Sequence, residues 1–341
     1  MRQELLVNSF LNPGLEEDLP LELEISKENV MDGNPELFSL YHLDNLCYDS
    51  FKKLPSLDEE KHLFRFVRFP FDDAEIKNVK CEFIEEEENK SKCPVNKGIA
   101  DGFLRLVDPK KDKVWDGSKC PIIKDIKNNS ISLSSPRRFN DPVDPLIKAW
   151  VENRRIHHNG IVDKRCCELI EKTIGKIHIC SLVDPLRNKR LGRNRVPNIN
   201  GINPLMWAHY ADSHKGLCIQ YKVKPSNCED TDNQILRLLD VQYNKKFPLN
   251  GELPLTDSFV VKAKCWSYEN ETRLIAYSRD NEEDFLTLGD FEVEAVYMGY
   301  RIGHQQRDYL KRMLKGSSIK LFQMSFSEKD ITQLVAHEIK N

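Results

Sequence analysis

Two groups of residues in this chain of 341 have the types and spacing to do chemistry. The segment Trp266-Ser267-Tyr268-Glu269-Asn270-Glu271-Thr272-Arg273 sets two carboxylates and a guanidinium at alternate positions. A strand period of two then predicts Glu269, Glu271 and Arg273 on one face. Such carboxylates can divide labour: one accepts a hydrogen bond from a sugar hydroxyl, and the other orients a nucleophile or stabilises a developing cation. The same spacing equally builds a charge ladder in which Arg273 neutralises both acids. The second group is Asn203-Pro204-Leu205-Met206-Trp207-Ala208-His209-Tyr210-Ala211-Asp212-Ser213-His214-Lys215-Gly216. Each ring buried there needs a partner for its polar atom. On a helix, positions 207, 210, 211 and 214 share one face, which aligns Trp207, Tyr210 and His214 while His209 looks elsewhere. That stripe is either a pocket wall or an aromatic face turned to the core.

Smaller signals accompany these. Ser134 and Ser135 close a short alternating stretch, where a hydroxyl can hold a ligand amide or simply form the Ser-Ser-Pro turn. Asn140-Asp141-Pro142 is turn chemistry, with Asn140 as a candidate ligand contact. Residues 187–195 hold five cations in nine positions, either a solvated loop or a phosphate-binding one. No metal site is expected: His209 and His214 are five apart rather than four, and no Cys-x-x-Cys occurs. Neither a nucleophile elbow nor a glycine-rich phosphate loop is present.

The elements that must position these groups follow from periodicity. Residues 62–69, 131–136, 176–182, 217–223, 291–298 and 319–326 read as strands. Helices are predicted over 146–150, 163–174, 232–240, 256–265 and 303–314, besides the Trp207 helix. The irregular alternation implies an α+β class with a mixed, largely antiparallel central sheet flanked by helices. Residues 1–33 read as an acidic N-terminal arm, and 34–341 as a single α+β domain with an insertion at about 70–118. Net charge is −3, which argues against a general nucleic-acid coat. No apolar run approaches membrane-spanning length. Ten scattered cysteines without an export signal point to a reducing cytoplasm. Nothing in the sequence specifies an oligomeric state.

The motifs Leu63-Phe64-Arg65-Phe66-Val67-Arg68, Leu133-Ser134-Ser135-Pro136-Arg137-Arg138-Phe139-Asn140-Asp141-Pro142, Asn203–Ile219 and Trp266–Ile275 occur in that order. Together they resemble the bacterial domain-of-unknown-function family 2971, over roughly residues 60–325. This chain departs from the family pattern by about fifty extra residues after the first strand. It also carries Arg65 where a lysine is common, so His42 competes with Arg65 for the first-strand position. The motif order is also similar to that of ADP-ribosyltransferase-like folds. Those place a basic or His residue on a first strand, a Ser on a second and a Glu-x-Glu before a later one. That resemblance implies NAD as substrate. Arg65 or His42 and Ser134, with Ser135 and Asn140, would be cofactor contacts. Glu271 and Glu269 would be catalytic, and Trp207, His209, Tyr210 and His214 a stacking wall.

Three functions stay open on sequence grounds. The first is an NAD-consuming transferase or glycohydrolase, acting on a protein or nucleic-acid acceptor as a bacterial defence or stress effector. The second is a nucleic-acid-directed binding protein or nuclease using His209, His214 and the 187–195 loop. The third is a non-catalytic sensor or scaffold.

Overall fold

The computed structural model describes residues 45, 48–68, 121–139, 141, 144–145, 171–187, 199–244, 256–280 and 283–339. In chain order the elements are β1 (Lys61–Val67), α1 (Pro121–Asn128), β2 (Ile131–Ser134), β3 (Ile177–Val183), α2 (Leu205–Tyr210) and β4 (Leu217–Val223). They continue as β5 (Gln234–Asp240), β6 (Gln242–Asn244), β7 (Val261–Ala263), β8 (Glu271–Ser278), β9 (Phe285–Leu288), β10 (Glu292–Met298), α3 (His304–Leu314), β11 (Lys320–Phe326) and β12 (Leu334–Ile339). Short 3-10 helices connect them, notably Asp257–Phe259 and Lys264–Glu269. Pairing is antiparallel for β1–β3, β2–β3, β2–β9, β3–β8, β5–β8 and β11–β12, and parallel for β10–β11 and β6–β7. The class is therefore α+β, with a mixed, largely antiparallel sheet. No helix among the described residues is long and apolar enough to cross a membrane.

The chain divides into two compact units. The first draws on residues 1–64, 131–197 and 222–291, and the second on 65–130, 198–221 and 292–341. In the first, β8 lies between β3 and β5, with Ile275 opposite both Ile179 and Arg237. All eight β8 residues are buried, as expected of a strand covered on both faces. Alternation sends Glu271, Arg273, Ile275 and Tyr277 to one face. Ile275 and Tyr277 there join Tyr48, Phe51, Ile179, Ile235 and Phe259 in one apolar cluster. Arg237 on β5 ties helical residues 48–52 to the sheet by donating to the carbonyls of Leu54 (3.0 Å) and Lys52 (3.1 Å).

Two predicted helices are strands or turns instead. Gln234–Asp240, with apolar residues at 235, 236, 238 and 239, fits a helical face, but it pairs residue for residue with β8. Pairing with a buried neighbour outweighs the leucines' helical propensity. The 256–265 stretch contains a 3-10 turn, β7 and the start of a second 3-10 helix. β12, which sequence reading did not anticipate, pairs with β11 along its whole length.

The second unit carries β12, β11 and β10 in that order across the sheet, with residues 217–221 of β4 and 65–67 of β1. Here α2 ends at Tyr210, not at Gly216, because Asp212, Ser213 and His214 all take left-handed backbone conformations (φ 46°, 53° and 70°). The predicted helical stripe 207-210-211-214 therefore does not form. Non-glycine residues held there cost of order 1 kcal/mol each, so surrounding bonds must fix them. His214 donates its N–H to the Trp207 carbonyl (3.0 Å) and Gly216 to that of Ala211 (2.7 Å). From the other side Arg301 donates to the His214 carbonyl (3.0 Å) and Gly299 to that of Gly216 (2.9 Å). A Cβ on Gly299 would fall on the His214 carbonyl oxygen. Gly299→Ala is accordingly expected to lower stability by at least about 2 kcal/mol, read as a reduced urea midpoint. An unchanged midpoint would show that the turn is not clamped there.

Candidate functional site

The Glu-x-Glu-x-Arg segment is not one strand. Lys264–Glu269 is a 3-10 helix, and Asn270 takes a left-handed conformation (φ 45°, ψ 47°) before β8 starts at Glu271. Asn tolerates that conformation better than most residues, and it turns the chain sharply enough to fold Glu269 back. The expectation that Glu269 shares a strand face with Glu271 and Arg273 is corrected accordingly. The two carboxylates still meet, at the ammonium of Lys262 on β7. Its Nζ lies 2.7 Å from Glu269 Oε2 and 3.2 Å from Glu271 Oε2.

Arg273 completes the group. Its Nε donates to Glu271 Oε1 at 2.8 Å and its Nη1 to the Phe259 carbonyl at 2.6 Å. Its Nη2 donates to both Asp144 carboxylate oxygens, at 2.6 and 2.7 Å. Lys262 Nζ also lies 3.2 Å from Asp144 Oδ2. The guanidinium sits over the Phe139 ring and the Lys262 ammonium over Trp266. All five charged groups are buried, Arg273 completely. Glu271 also donates its backbone N–H to the Tyr243 hydroxyl at 2.9 Å, and its carbonyl accepts from Arg187 Nη1 at 2.7 Å.

Among the described residues, three carboxylates (Asp144, Glu269, Glu271) thus meet two cations (Lys262, Arg273) in a desolvated place. Burial by itself pushes the Glu271 carboxyl up. The charges of Arg273 and Lys262 and hydrogen bonds from Arg273 and Ser181 more than offset it, bringing the carboxyl down to about 2. For Lys262, burial works downward, but Glu271, Asp144 and Glu269 together hold its ammonium above the ordinary value. Glu271, Lys262 and Arg273 are therefore charged at neutral pH. Ser181 is the exposed residue in an otherwise buried β3, so the hydroxyl touching Glu271 belongs to a side chain that reaches solvent. Trp266 and Tyr268 flank Glu269 and are half-buried.

Other predicted residues lie as follows. Ser134 ends β2, half-buried, and its Cα pairs with Ile179 and Phe285. Ser135 is buried, and its Oγ accepts from the Arg137 N–H at 3.4 Å, capping a 3-10 turn. In the second unit, Arg65 Nη1 donates to the wholly buried Asp125 carboxylate at 3.0 Å. Trp207 is 1% exposed and packs edge-on against Phe66. His209 is exposed beside a half-buried Tyr210, and His214 packs edge-on against Tyr300. His42, Asn140 and all of the 187–195 loop except Arg187 lie outside the described residues, as does the 70–118 insertion.

Sequence reading missed Asp144, Lys262, Tyr243 and Ser181 as members of the cluster. Lys262 left a trace, a lone cation in the apolar run Phe259-Val260-Val261-Lys262-Ala263. Asp144 was hidden among turn residues.

Residues 206–274 match the family model described as "Protein of unknown function (DUF2971)". The matched span takes in α2 and its left-handed turn and ends inside β8, just past Arg273. No curated protein and no solved structure matches the chain.

The pairing of Glu271 with Arg273 and Lys262 yields a prediction. Its folded titration near 2 lies below the ordinary 4.5, so the unfolded chain binds more protons between those values. The stabilisation is therefore complete above about pH 4.5 and is lost as pH falls toward 2. Glu271→Gln, which removes a buried carboxylate bonded to both Arg273 and Lys262, is expected to cost about 3–5 kcal/mol at pH 7. It should also flatten the acid limb of a stability–pH curve by about one proton. An unchanged acid limb would contradict the assignment.

Proposed function

We propose that the chain is an NAD-consuming enzyme that transfers ADP-ribose to a protein or nucleic-acid acceptor, or to water, and that the Glu269–Glu271 cluster is its reaction centre. The observation that carries this is the convergence of two buried glutamates on one lysine, within a cluster that Asp144 and Arg273 complete. In the reaction the bond between ribose C1′ and the nicotinamide nitrogen breaks. The electron pair leaves with nicotinamide, and positive charge develops on the ribose. Carboxylates fixed in a low-dielectric setting favour that cation without reorganising.

In this reading Glu271, held by Arg273 and Lys262, supplies the field and receives the ribose hydroxyl where Ser181 now donates. Glu269 releases Lys262 to orient the acceptor and takes its proton as the new bond to C1′ forms. Trp266 and Tyr268 offer aromatic faces for the nicotinamide ring.

A second reading is favoured by one observation: both Glu271 oxygens are already engaged by fixed cations. Under it the cluster only holds the fold. The two readings separate at Glu269→Gln. Glu271 bonds both Lys262 and Arg273, whereas Glu269 meets Lys262, so that change should cost less stability than Glu271→Gln. The enzyme reading expects nicotinamide release from NAD by the parent protein, and at least about 100-fold slower release by folded Glu269→Gln. No release, together with no NAD binding by calorimetry, would leave the structural reading.

A further inference from the structure

The left-handed turn at 212–214 is a costly feature of the family-matched segment, and the glutamate cluster does not use it. It sets His214 edge-on to Tyr300 (centroids 5.1 Å apart), and Tyr300 in turn packs on Phe326 (4.6 Å). Three rings from three separate segments form a row. Tyr300 and Phe326 are 37% and 44% exposed, although large aromatic side chains are ordinarily covered. Burial, and then the nearby Arg301 charge, hold His214 below its ordinary titration range, so its ring is neutral at pH 7. Cations border the row. Arg301 and Lys215 are exposed neighbours of Tyr300 and His214, and Arg68, 76% exposed, reaches Asp212 only at 4.0 Å. From Tyr300 to Lys320 the sequence carries six cations against a single acid, Asp308, in a chain whose net charge is −3.

We propose that this ring row is a binding platform for single-stranded nucleic acid, whose bases stack on Tyr300 and Phe326 and whose phosphates meet Arg301, Lys215 and Arg68. Exposed π-faces bordered by cations suit a ligand that alternates flat bases with negative charge. A protein partner would cover the rings without needing the cations. The backbone clamp of Gly216, Gly299 and Arg301 around His214 fixes the chain on either side of Tyr300, so stacking has less to order there. The inference stands apart from the NAD reading, because every residue it uses lies in the second unit.

The test is fluorescence anisotropy of the full chain with a labelled dT oligonucleotide and its RNA counterpart across a salt series, with thymidine monophosphate as competitor. Saturable binding is expected, weakened roughly 5- to 150-fold by Phe326→Ala or Tyr300→Ala. Lys215→Ala/Arg301→Ala should reduce the salt slope by about 1.4. Circular dichroism and melting of each variant identify loss by unfolding, and the exposed cation pair supplies the readout if a ring variant unfolds. The platform is overturned by absent saturable binding at 50 mM salt, or by binding that folded variants leave unchanged. It is also overturned if the mononucleotide binds as tightly as the oligonucleotide.

Discussion

The first unit depends on finding enough acceptors for one buried guanidinium. Arg273 has no exposed surface, and an ion taken wholly out of water costs several kcal/mol unless every donor is satisfied. Asp144, Glu271 and the Phe259 carbonyl meet that demand from three places in the chain. Those acceptors then impose their own conditions. Two carboxylates beside one guanidinium need a second cation, which β7 supplies as Lys262, and the left-handed Asn270 lets Glu269 reach it. The short 3-10 helices around β8 follow from these requirements, since the chain must turn tightly to bring 144, 262, 269, 271 and 273 to one point.

The second unit obeys a constraint of another kind. Its central device is backbone strain held by hydrogen bonds and by two positions where only glycine fits. Trp207, buried against Phe66, anchors the start of α2, and the chain then reverses within a few residues to enter β4. The price of that reversal in conformational energy is met by packing on both sides, and it leaves His214 and Tyr300 near the surface. A strained, well-supported turn beside exposed rings is a common arrangement at recognition sites, where rigidity is an advantage.

Strands with a clean alternation or a compact apolar run were legible in the sequence. β1, β2, β3, β4, β10 and β11 lie where periodicity puts them, and so does α3. β5 was not, because Ile-Leu-x-Leu-Leu satisfies a helical face as well as a strand buried on both sides, and its pairing with β8 is a long-range fact. The same limit applied to the glutamates. Spacing identified Glu269, Glu271 and Arg273 as interacting, but it assumed regular strand geometry across Asn270. Asp144, 129 positions from Arg273, could not be connected to it by any local pattern. Burial was the least legible property of all: a charged segment that reads as a solvated sheet face is in fact among the driest parts of the protein.

The buried charges of the first unit act as one cooperative group centred on Arg273. A double-mutant cycle on its bidentate contact tests this most directly, with Asp144→Asn, Arg273→Met and the double variant compared by urea unfolding at pH 7. The expected coupling energy is above about 2 kcal/mol, the double variant being far less destabilised than the two single losses added together. Additivity within about 0.5 kcal/mol would contradict it.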